Sequence, residues 1–86
     1  MSVSSKLQLK NTKGYDVYLK NNNDNTFTLE GDYNLLSLSY EDSSNILFLE
    51  VDGGPYIKVG YFKLSDNRTL FSIKRDSAGK IILRFE

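Results

Sequence analysis

The stretch TLFSIKRDSAGKIILRFE, residues 69–86, decides the fold. Phe71 and Ile73 alternate with Ser72 and Lys74; then Ile81, Leu83 and Phe85 alternate with Ile82, Arg84 and Glu86. Side chains of a strand point to opposite faces in turn, so a period of two marks a strand with one buried face. Asp76-Ser77-Ala78-Gly79 stands between the two runs. Asp at the first turn position and Gly at the fourth suit a type I turn closed by a glycine bulge. The stretch therefore reads as an antiparallel hairpin.

The same period recurs upstream. Leu7 and Leu9 alternate with Lys6, Gln8 and Lys10, and Tyr15, Val17 and Leu19 with Asp16, Tyr18 and Lys20. Phe27 and Leu29 follow, then Leu36, Leu38 and Tyr40 between serines. Breakers separate the runs: a polar loop at 21–25, Gly31-Asp32 as a tight hairpin, a second loop at 41–45, Asp52-Gly53-Gly54-Pro55, and a turn at 65–68. Eight strands are expected, at about 5–10, 15–20, 26–30, 33–40, 45–51, 56–63, 69–75 and 80–86. One Ala and a supply of β-branched and aromatic residues disfavour helix. The expected architecture is a single all-β domain over residues 1–86, an antiparallel β-sandwich or small barrel.

The spacing also suggests one four-strand unit used twice, over 7–41 and 47–86. Leu7 and Leu9 align with Leu47 and Leu49, Tyr15 with Tyr56, and Phe27 with Phe71. If the doubling is structural, these pairs occupy equivalent positions and the halves bury each other.

Composition excludes much chemistry. The 86 residues contain no His, Cys or Trp. Zinc and iron–sulfur sites lack their usual ligands, and Ser–His and Cys–His nucleophile pairs cannot form. Catalysis would rest on Asp, Glu, Lys, Tyr or Ser alone, in a chain with little room for a cleft. No enzyme activity and no cofactor are expected.

Residues 22–26, Asn-Asn-Asp-Asn-Thr, are rich in oxygen. Beside a strand, and with two four-strand units, this stretch resembles the calcium loop of a βγ-crystallin domain. That resemblance implies Greek-key halves and bound calcium. The family's aromatic hairpin ending in Gly is missing here, and Phe27 stands where its motif has a second hydroxyl. The match is not adopted, and the stretch reads as a loop whose Asn and Asp side chains bond their own backbone.

The net charge is zero but unevenly placed. Between Lys20 and Lys58 there are seven acids and no base; from residue 53 on there are seven bases and three acids. Either the two sets neutralise each other or the surface is dipolar and steers a charged partner. Zero net charge speaks against a dedicated nucleic-acid binder. Residues 1–10 lack the apolar core of a signal peptide, and no apolar run approaches a membrane span. A cytoplasmic protein is expected, with phage or virion origin fitting equally well.

If each strand turns its better face inward, Tyr18, Leu35, Ile46, Phe48, Tyr56, Phe62, Leu70 and Ile82 point out. Strand 45–51 is apolar on both faces: either it is a central strand covered twice, or one side meets a partner. The expected partner-binding set is Tyr18, Ile46, Phe48, Tyr56 and Phe62, with Lys58 and Lys63. The expected function is protein binding or self-association, as a small inhibitor, adaptor or assembly component. A carbohydrate-binding module, using six Tyr with Asn and Asp, is the second reading. Single-stranded nucleic acid on residues 56–63, where rings and bases alternate, is the third.

Overall fold

The chain forms eight strands in this computed structural model, which describes residues 7–13 and 17–86. In order they are β1 Leu9–Asn11, β2 Leu19–Asn21, β3 Thr26–Leu29, β4 Asn34–Glu41, β5 Ile46–Asp52, β6 Ile57–Leu64, β7 Leu70–Arg75 and β8 Ile81–Phe85. They build two four-stranded antiparallel sheets, ordered β1-β6-β5-β4 and β2-β3-β8-β7. The sheets pack face to face on one core. Leu47, Leu49, Val51, Phe62 and Leu64 enter it from the first; Phe27, Leu29, Ile81, Leu83 and Phe85 enter it from the second. Phe85 anchors the packing, with edge-on rings from Phe27 at 5.8 Å and Tyr40 at 5.3 Å. The Tyr40 hydroxyl donates to the Arg68 carbonyl at 2.6 Å, tying β4 to the segment before β7. Burial pushes its pKa up, with nearby Asp42 and Asp66 acting in the same direction. At the opposite margin Asn21 donates to the Leu7 carbonyl at 2.8 Å.

The turns follow local chemistry. Asp76 accepts from Gly79 N at 3.0 Å through its carbonyl, its Oδ1 accepts from Ala78 N and Lys80 N, and Gly79 takes φ +81°. This is the turn expected between β7 and β8. In the loop 21–25, Asn23 and Asn25 adopt positive φ, which Asn tolerates better than most residues. Asp24 accepts from the Thr26 amide and hydroxyl, and Asn22 donates to the hydroxyls of Thr26 and Thr28. The loop thus bonds its own groups. Gly31-Asp32 is not a hairpin: β3 and β4 lie in different sheets, so this segment crosses between them.

The pairings do not repeat between residues 7–41 and 47–86. β2 pairs with β3, whereas their counterparts in the second half, β6 and β7, belong to different sheets. Phe27 is buried and Phe71 is 66% exposed, so they are not equivalent. Tyr15, aligned with Tyr56, lies outside the described residues. The sequence correspondence does not extend to the strand connections.

Two register shifts change which residues face inward. Leu35 pairs with Val51 and Ser37 with Glu50, which leaves Leu36 as an extra residue in β4. Leu70 pairs with Phe85 and Ser72 with Arg84, which leaves Phe71 extra in β7. A bulge of this kind reverses the alternation on one side of it. Leu35 and Leu70 therefore pack on the core, while Leu36 and Phe71 are exposed, the reverse of the sequence-based assignment. Ile73 pairs with core residue Leu83 but sits on an edge strand and remains 45% exposed. Among the described residues no helix is long and apolar enough to cross a membrane.

Candidate functional site: the outer face of the β1-β6-β5-β4 sheet

The phase of β6 sets this face. Gly60 is buried on the core side, and a Cβ there would stand 2.7 Å from the Phe62 ring and 3.0 Å from the Val17 Cβ. Only a residue without a side chain lets Phe62 and Val17 share that space. Gly60, Phe62 and Leu64 consequently face the core, and Ile57, Val59, Tyr61 and Lys63 face out. Phe62 was expected outside; it is 4% exposed and is a core residue.

Pairing then assembles the outer surface in rows. Phe48 lies beside Tyr61, with ring centroids 4.7 Å apart, and Ile46 lies beside Lys63. Val59 stands next to Glu50, whose carboxylate accepts from the Ser37 hydroxyl at 2.6 Å. Lys13 lies over the Tyr61 ring at 5.0 Å, and Lys63 donates to the Ser44 carbonyl at 3.1 Å. A shallow depression of about 710 Å³ opens beside Ile46, Phe48 and Tyr61, walled by Ser39, Glu41, Asp42 and Ser44. Ile46, Phe48, Val59 and Tyr61 are half-buried on this face.

The expected binding residues divide. Ile46, Phe48 and Lys63 share this face. Tyr56 is 76% exposed in the turn before β6, at the end of the same sheet. Lys58 points to the core side, where its Nζ donates to the Tyr33 hydroxyl at 3.3 Å and lies 5.4 Å from that ring. Tyr18, 62% exposed, precedes β2 in the other sheet and is not part of the face. The ring-and-base row of 56–63 is split, with Lys58 and Phe62 inward, Tyr61 and Lys63 outward. Val59, Tyr61, Lys10 and Lys13 belong to the face and were not singled out from sequence. Gly60 was the available signal, since glycine inside a strand marks close packing and would have fixed the phase.

Charge is not neutralised by pairing here. The ion pairs among the described residues are Arg68–Asp66, Lys80–Asp32 and Arg84–Glu86. None involves Glu41, Asp42, Glu50, Asp52, Lys10 or Lys63. Glu41 and Glu50 accept from the Ser44 and Ser37 hydroxyls, so the acids of β4, β5 and the loop between them keep their charge without a cation beside them. Comparison with protein-family models, with curated proteins and with solved structures finds no match.

Proposed function

We propose that this is a non-enzymatic binding protein, an inhibitor, adaptor or assembly component, whose interface is the outer face of the β1-β6-β5-β4 sheet. The observation that carries the reading is the contiguous, half-buried strip of Ile46, Phe48, Val59 and Tyr61 on the side of the sheet away from the core. Apolar area gathered at the centre of a surface and rimmed by charge is the usual anatomy of a protein interface. The test compares immobilised wild type, Phe48→Asp and Ile82→Asp, the last on the opposite sheet, in capture from native lysate. Circular dichroism checks the fold of each. A protein captured by wild type and Ile82→Asp but lost with Phe48→Asp supports the reading; equal capture by all three ends it.

A second reading has a specific basis. The depression combines two rings with hydroxyls and carboxylates, the groups that stack on and hydrogen-bond to sugars. Binding on a glycan array that Tyr61→Ala removes would favour it over a protein partner.

A further inference from the structure

The outer face is ordered by charge across its width. One row runs Lys10, Lys63, Ile46, Glu41, from β1 to β4. The next runs Tyr61, Phe48, Ser39. Lys10 occupies the β1 margin with Lys63 beside it on β6, the apolar strip lies in the middle with Glu50 at its end, and Glu41 with Asp42 occupies the β4 margin. Among the described residues neither the Lys10 nor the Asp42 side chain makes a hydrogen bond or ion pair, and Glu41 accepts from the Ser44 hydroxyl.

Resting on the binding role proposed above, we infer that this face takes a second copy of the chain, in a symmetric dimer whose two-fold axis runs parallel to the strands, between β5 and β6. That operation lays the β1 margin of each copy on the β4 margin of the other. Lys10 then faces Glu41 of the partner subunit, and Tyr61 faces Phe48 of the partner subunit. Both contacts occur twice, as an isologous interface requires. A two-fold axis across the strands instead lays β4 on β4 and gathers the acids. The row order therefore selects one axis, and it does so by opposite charge at the margins and apolar contact at the centre. Zero net charge removes the general repulsion between copies. Sheets in aligned packing cross at about 30°, which right-handed twist supplies on both sides.

Size limits the strength. β4, β5 and β6 are seven or eight residues long and β1 three, so with strands about 4.8 Å apart the face measures at most roughly 19 by 24 Å. A standard interface takes about 800 Å² of accessible surface from each partner, and this flat area is roughly half of that. Weak, concentration-dependent association is expected, as for small transient interfaces.

The test is sedimentation equilibrium of the purified chain from low micromolar to millimolar concentration. Wild type should pass from monomer to dimer. Lys10→Glu and Glu41→Lys should each weaken dimerisation by at least about tenfold, since each sets like charges opposite one another twice. An equimolar mixture of the two variants should restore the dimer, because every altered position then faces an opposite charge. The double variant in one chain should restore it as well. Mixing Lys74→Glu with Glu30→Lys, both off this face, controls for general attraction and should change nothing. A wild type that is monomeric throughout, variants that dimerise like wild type, or a mixture that fails to recover overturns the dimer. If wild type is monomeric while lysate capture still depends on Phe48, the face binds a foreign protein and only the second-copy assignment fails.

Discussion

The two sheets turn similar faces to the core and dissimilar faces to solvent. Outside β2-β3-β8-β7 the rows read Lys20, Thr28, Ile82, Lys74 and Thr26, Arg84, Ser72. Ile82 is the one apolar residue in these rows, Phe71 lies under Arg84 and Tyr18 stands at the end of β2, so the apolar groups are scattered among hydroxyls and cations, and Asn22 bridges two of the threonines. Outside β1-β6-β5-β4, by contrast, Ile46, Phe48, Val59 and Tyr61 adjoin one another. Inner faces are constrained by burial, so they converge on Leu, Val, Ile and Phe whatever the protein does. Outer faces carry no such constraint. The difference between them is thus the part of this molecule that packing does not account for, and it is where a use should be sought.

Several substitutions can break or sharpen that contrast. The largest effect is expected at Phe62, whose truncation to Ala should lower unfolding stability by about 3–5 kcal/mol. Its neighbour Tyr61, on the other side of the same strand, should lose no more than about 1 kcal/mol on the same change. Urea denaturation measures both. Equal losses would mean that the outer strip is structural, and the contrast between faces would collapse. Gly60→Ala comes next, at about 1–3 kcal/mol, because the new methyl collides with the Phe62 ring. A neutral Gly60→Ala would show that β6 can shift its phase.

Phe71→Ser should change stability by no more than about 0.5 kcal/mol, the range of ordinary surface changes. A larger loss would return Phe71 to the core. The smallest expected effect is at Asp24, beside the polar face. The Thr26 hydroxyl donates to its carboxylate and holds the pKa below 3.8. A depressed carboxylate pKa favours the fold above pH 3.8, and that contribution disappears as pH falls through the folded value. In a carbon-13 NMR titration Thr26→Val should move the midpoint upward; an unmoved midpoint would assign the shift to another cause.

How much of this could be read beforehand depended on doublets. Where one apolar residue stood between polar ones, as in Phe27-Thr28-Leu29, alternation assigned the inward face correctly. Strand number, antiparallel class and most strand limits followed from the same signal. Where two apolar residues adjoin, the phase is ambiguous, and Leu35-Leu36, Tyr61-Phe62 and Leu70-Phe71 were each assigned to the wrong face. Bulges decide the first and third, and crowding at Gly60 decides the second. These are tertiary causes with no period of their own. The candidate face was half legible for that reason: Ile46 and Phe48 came from β5, which is apolar on both faces but was assigned the right phase, its alternate Leu47, Leu49 and Val51 being buried, while Val59 and Tyr61 were hidden by the opposite phase of β6. The strand connections could not be read either, since alternation says nothing about which strand pairs with which.

The two bulges have a consequence beyond the residues they displace. β4 and β7 are long strands at the open edges of their sheets, and each breaks its register partway along. A free strand edge is a template on which another chain can crystallise into a fibril, and a template serves only while its hydrogen-bond spacing is continuous. The extra residue interrupts that spacing on these two of the four edges. Neither of the two longer edges therefore offers another chain an unbroken ladder to extend, while β1 and β2, the other two edges, are only three residues long.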